Sequence, residues 1–145
     1  MFDCPEARRW LRQAKYTLRA IDADVEADFY SWACFKGHQA ADYALKAVLR
    51  GAGVESFGHD LVALWVKAKR ICPPLEGLRE CIALLNKMYI PPRYPDAWAG
   101  ESAPYESYTR RDAVESRECA TLVLNAVKSC LEEVCGEGTG SQEEA

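Results

Sequence analysis

A run of small residues inside one amphipathic segment limits how this chain can fold more than any other feature. Between Phe29 and Ala52, positions Ala40, Ala41, Ala44 and Ala47 carry only methyl groups. Small side chains let a neighbouring helix approach closely. The segment therefore reads as a helix at the centre of a bundle, or at a dimer interface. Cys34, Ala41, Leu45 and Val48 form its packing face, widened by Trp32, Phe35 and Leu49. Gly51 and Gly53 close it, since glycine adopts left-handed dihedrals without penalty.

The other segments follow the same helical period. A first helix starts near Pro5, a favoured first-turn residue. It sets Trp10, Ala14, Leu18, Ile21 and Val25 on one face. Arg8, Arg12, Lys15 and Arg19 fall on another face, which reads as a solvated basic surface. The acids Asp22, Asp24, Glu26 and Asp28 mark its end. A turn at Gly58-His59-Asp60, with Asp60 as N-cap, opens a third helix carrying Leu61, Leu64, Trp65 and Ala68. Cys72-Pro73-Pro74 breaks it. A fourth helix carries Leu75, Leu78, Ile82, Leu85 and Met88 and ends at Pro91-Pro92. Residues 91–108 form a loop rich in aromatics and prolines, which is expected to pack on the bundle. Thr109 and Asp112 have capping-box spacing before a last helix with Ala113, Ala120, Val123, Val127, Cys130 and Val134 on one side. There is no strand-like alternation. The fold class expected is all-α, a helical bundle over residues 1–135 followed by a flexible tail over 136–145.

Composition narrows the function classes. Of the net charge of −4, three negative charges are the tail residues Glu137, Glu143 and Glu144, which leaves the body near −1. A near-neutral body argues against strong non-specific nucleic-acid binding, which needs many phosphate contacts. No apolar run approaches the roughly 18 residues of a membrane span. The N-terminal residues lack the layout of a signal peptide, so a cytoplasmic location is the default. The seven cysteines include no C-x-x-C pair. They read either as small core residues or as one or more structural disulfides.

The chemistry is sparse. Two histidines, His38 and His59, make a poor metal site, and no phosphate loop or nucleophile constellation can be argued from spacing. Neither metal nor cofactor is expected. The richest polar feature is a stripe on the second helix, where Phe35, Gln39, Asp42, Lys46 and Arg50 step by three or four residues. His38 lies beside it. Asp42 and Lys46 have the favoured acid-first i,i+4 orientation. The stripe has two readings: an ion pair that fixes helix packing, or the floor of a groove that meets an anionic ligand through Lys46 and Arg50.

Four segments taken together resemble the HEPN domain family. They are Ala7 to Ala14 at the start of helix one, His38 to Val48 on helix two, the His59-Asp60-Leu61 turn, and Arg93-Tyr94-Pro95-Asp96 in the long loop. The resemblance implies an up-and-down bundle of four main helices plus a short one, and a homodimer with a cleft between protomers. It implies Gln39, Asp42, Lys46, His59, Asp60, Arg93, Tyr94 and Asp96 as the matching motif residues. Asp60 apart, these are the candidate ligand-binding set. Many members of the family are RNases, often toxins paired with a small nucleotidyltransferase; others are non-catalytic and are proposed to bind nucleotides or partner proteins. The RNase branch places an Arg a few residues before a His on one helix. Here Ser31, Trp32 and Ala33 precede His38 at that spacing, and Ala52, Gly53 and Val54 precede His59. Arg110, Arg111 and Arg117 have no following His. The expectation is a non-catalytic module that binds a nucleotide, RNA phosphate or partner protein. The alternatives are a toxin–antitoxin component and a divergent metal-independent RNase using Arg110, Arg111 or His38.

Overall fold

Local capping sets the helix boundaries. In the computed structural model, which describes residues 1–136, Asp3 accepts a hydrogen bond from the Glu6 backbone N–H at 3.1 Å and starts α1, Cys4–Glu26. Asp28 turns the chain with a left-handed φ of 65°, a conformation that Asp tolerates. The turn leads into α2, Tyr30–Gly51. Asp60 caps α3, Leu61–Ala68, by accepting from the Val62 and Ala63 N–H groups. The fourth apolar segment divides. Pro73–Leu78 is 3-10 helix, because the prolines remove two N–H donors, and α4 spans Arg79–Asn86. Met88 lies beyond it. Thr109 and Asp112 form the expected capping box of α5, Arg110–Cys135. The long loop contains two short 3-10 turns, Pro95–Ala97 and Pro104–Ser107. No strand occurs among the described residues, and no helix there is long and apolar enough to cross a membrane. The tail expected to be flexible lies outside them, except for Gly136.

α2 is the centre. Ala40, Ala41, Ala44 and Ala47 are fully buried and pack inside the bundle, where α2 meets α1 and α5. The small-residue face is thus covered within one protomer. On α1 the buried stripe is Ala7, Leu11, Ala14, Thr17, Ile21 and Val25, with Trp10 and Leu18 half-buried at its edge. On α5, Val134 is exposed, while Ser116, Leu124 and Leu131 join the core.

Two glycines of α2 permit close approach rather than unusual dihedrals. A Cβ on Gly37 would collide with the Ser116 side chain of α5, whose hydroxyl donates to the Cys34 carbonyl at 3.2 Å. A Cβ on Gly51 would collide with the Phe2 ring, which is held there as Asp3 N–H donates to the Gly51 carbonyl at 2.7 Å. Only Gly53 takes the left-handed conformation expected of both helix-end glycines, with φ 71°.

Each reading of the cysteines holds for some of them. Cys4 and Cys135 form a disulfide with Cα atoms 5.8 Å apart, joining the start of α1 to the end of α5. Cys81 and Cys119 form another, with Cα atoms 5.0 Å apart, between α4 and α5. Cys34, Cys72 and Cys130 are buried thiols.

Two outcomes test this packing. Gly37→Ala costs about 1–3 kcal/mol of stability by overpacking, and adding Ser116→Ala recovers part of it, measured by urea unfolding. Replacing Cys4 and Cys135 by Ser costs about 2–5 kcal/mol in the oxidised protein, and the difference vanishes in strong reductant.

Candidate functional site

The polar stripe of α2 does not form an open groove floor. Asp42 is 2% exposed and Lys46 is 7% exposed, and they form an ion pair at 2.9 Å between Lys46 Nζ and Asp42 Oδ2. Tertiary packing covers both because α2 is enclosed on most sides. Asp42 Oδ1 is buried and has no hydrogen-bond partner among the described residues. Arg50 lies apart from this pair. Its guanidinium sits 4.6 Å from the Trp10 ring centre and 3.7 Å from Glu6. Of the two readings of the stripe, this geometry fits the ion pair that fixes helix packing, since Lys46 and Arg50 have separate surroundings.

His38 is also internal. Its Nε2 lies 2.9 Å from the His59 carbonyl and its Nδ1 lies 3.1 Å from the Gln39 amide nitrogen. A carbonyl only accepts, so Nε2 carries the proton and Nδ1 accepts from Gln39. Burial lowers the His38 pKa below its ordinary value, which keeps the ring neutral near pH 7. His38 thereby fixes the backbone of the turn that carries His59.

His59 is the half-exposed member of the group. Its side chain is 44% exposed, with Nδ1 3.5 Å from Asp42 Oδ2. The Tyr89 ring lies against both histidines, with its centre 4.7 Å from that of His38 and 5.0 Å from that of His59. Arg93 comes in from the long loop. Its Nε donates to the Tyr89 carbonyl at 2.8 Å, and its guanidinium lies 4.0 Å from the Phe35 ring centre, 4.7 Å from Tyr89 and 4.9 Å from Tyr94. Cation–π contacts of this kind are worth about 0.5–2 kcal/mol each.

The structure thus brings Gln39, Asp42, Lys46, His59 and Arg93 into one connected group. Tyr94 extends it at the surface. Asp96, exposed in the 3-10 turn Pro95–Ala97, makes none of the group's hydrogen bonds. Two members were not anticipated. Tyr89 joins both histidines to Arg93, and its only sequence cue is an aromatic residue just before Pro91-Pro92. Asn86 accepts from the Leu61 N–H at 2.8 Å and donates to Asp60 at 3.3 Å, so it ties α4 to the His59 turn. An open groove of about 530 Å³ lies over His59, Asn86, Lys87, Tyr89 and Ile90. It offers a half-exposed imidazole, a lysine cation and an apolar wall, which suits an anion attached to a flat ring.

The buried pair yields a stability test. Lys46→Met leaves the Asp42 carboxylate buried without its cation and costs about 3–5 kcal/mol, whereas Lys46→Met with Asp42→Leu costs much less. Urea denaturation of the two variants measures the contrast.

Comparison with known proteins places this geometry. A family model described as HEPN domain matches residues 7–130. The crystal structure of TT1696 from Thermus thermophilus superimposes with a TM-score of 0.81 at 35% identity, covering 86% of this chain and 98% of that one. The crystal structure of ST0689, titled an archaeal HEPN homologue, gives a TM-score of 0.71 at 34% identity, covering 87% and 98%. Human sacsin is 28% identical over 138 residues, covering 88% of this chain, which spans only 3% of sacsin. A protein of Methanocaldococcus jannaschii named putative toxin MJ1304 is 25% identical over 150 residues, covering 93% of this chain and 94% of its own length. With its helical bundle, its matched span and its solved neighbours in agreement, the chain belongs to the HEPN domain family.

Proposed function

We propose that this HEPN domain is a binding module, and that it takes a nucleotide or the phosphate end of an RNA in the groove over His59. The observation that carries this reading is the division of the two histidines. His38 is fully buried with both ring nitrogens engaged, so it cannot reach a substrate. Of the two, only His59 faces the groove, with Lys87 nearby to meet phosphate and the Tyr89 ring and the exposed Ile90 to meet a base. No arginine precedes either histidine at the nuclease spacing, which favours binding over cleavage. A divergent, metal-independent RNase is the weaker alternative.

A second copy of the chain extends the site in this reading. Trp32 is exposed and packs edge-on to Phe35 at 6.2 Å, and Phe35 lies under Arg93. An exposed aromatic face therefore continues from the site and is available to a homodimer partner. The relative named putative toxin supports a toxin–antitoxin role, and the partner that the family resemblance implies for that role is a nucleotidyltransferase protein.

Calorimetric titration with nucleoside triphosphates and a short RNA tests the proposal. Charge-assisted contacts are worth about 1.5–3 kcal/mol, so His59→Ala and Lys87→Ala each weaken binding by roughly 10- to 100-fold. Absence of heat with every phosphate ligand removes the nucleotide reading. Cleavage of labelled RNA by the pure protein, lost on His59→Ala, replaces it with the nuclease. Sedimentation as a monomer at micromolar concentration removes the dimer.

A further inference from the structure

The pairing of cysteines along α5 is incomplete in a specific way. α5 carries three cysteines, Cys119, Cys130 and Cys135, and each meets a cysteine of another element. Cys119 is bonded to Cys81 of α4 and Cys135 to Cys4 of α1. The third, Cys130, faces Cys72, the residue just before the 3-10 segment Pro73–Leu78. The two thiols are within hydrogen-bonding reach of each other. Their surroundings place them across one narrow contact. Cys72 Sγ lies 3.6 Å from the Ala126 carbonyl, one turn before Cys130, and Cys130 Sγ lies 3.9 Å from the carbonyl of Ile71, the neighbour of Cys72.

We propose that Cys72 and Cys130 are the site of a third disulfide, which closes during oxidative folding and fastens the α3–α4 connection to α5. Six of the seven cysteines then form three cross-links, all of them to α5. The cysteine left over, Cys34, belongs to α2, the helix that carries the polar cluster around Asp42. α2 and α3 then carry no disulfide and are held by non-covalent contacts.

The chemistry balances with a small-molecule disulfide as oxidant. The thiolate of one cysteine attacks that disulfide, forms a mixed disulfide and expels one thiol. The second cysteine, as thiolate, attacks the protein sulfur and expels the other thiol. The protein loses two electrons and two protons, and the oxidant leaves as two thiols. Timing follows from burial. The thiolate is the nucleophile, and burial raises the pKa of both thiols once the core has formed. Exchange is therefore slow in the folded, reduced protein and faster while the chain is still closing.

The test refolds the full chain from its reduced, unfolded state in a mixture of reduced and oxidised glutathione. The product is acid-quenched, alkylated under denaturing conditions and mapped by peptide mass spectrometry. The expected result is alkylation of Cys34 alone and a cross-linked peptide containing Cys72 and Cys130. A product in which Cys72 and Cys130 remain alkylatable, carry glutathione or pair with other cysteines overturns the proposal. A second readout does not depend on mapping. The double variant Cys72→Ser, Cys130→Ser melts several degrees below wild type after oxidative refolding, and the gap narrows once both proteins are fully reduced. A gap of the same size in oxidised and reduced protein also overturns the proposal.

Discussion

α2 is enclosed on almost every side, so its polar side chains must find partners inside the protein. Of its 22 residues, 15 are buried, and these include His38, Asp42 and Lys46. Transferring a carboxylate or an ammonium from water into such surroundings costs several kcal/mol per ion. The Asp42–Lys46 pair offsets that cost without making a large net contribution to stability. Its effect is geometric. Lys46 holds Asp42 in one position, and the position of Asp42 sets what His59 meets. His38 does the same through the backbone, by donating to the His59 carbonyl. The groove is the visible end of a polar network whose other end is the core.

The remaining elements hold that network in place. Asn86 locks the end of α4 to the start of α3, directly after His59. Tyr89 and Arg93 carry the connection into the long loop through ring contacts and one backbone hydrogen bond. Trp98 fastens the loop again, its indole N–H donating to the Pro91 carbonyl at 2.7 Å. α5 forms the opposite wall and carries the covalent links to α1 and α4. The protein thus divides into a cross-linked frame, built on α5, and a site held by packing on α2.

The helices were legible in the sequence because they rest on local rules. Asp60 as a cap and the Thr109–Asp112 box depend on residues a few positions apart, and each appears where its pattern placed it, whereas the apolar spacing of the fourth segment runs through a 3-10 stretch and past the end of α4. Tertiary detail was less legible. The stripe Gln39, Asp42, Lys46 was correctly read as one face, but spacing cannot say what covers a face. A fully packed α2 buries the Asp42–Lys46 pair where an exposed helix displays it. Tyr89 was missed because its role depends on three partners, of which His38 and His59 are far away in sequence and Arg93 lies in the loop. The disulfides were missed as pairings for a similar reason: Cys4 and Cys135 are 131 residues apart, and only the closed bundle brings them together.

The separation of the two histidines limits what one protomer can do chemically. Cleavage of RNA without a metal needs one group to take a proton and another to return one. His38 is neutral and fully engaged, so it does neither. At the groove, Asp60 and Asn86 are committed to capping α3 and to each other. Lys87 lines the groove and brings positive charge, which holds a phosphate. In the binding reading proposed above, one imidazole backed by the Asp42 carboxylate, with Lys87 and the Tyr89 ring beside it, holds an anion. A second His59 could come only from another copy of the chain, which is why oligomeric state and the choice between binding and cleavage are one physical question here.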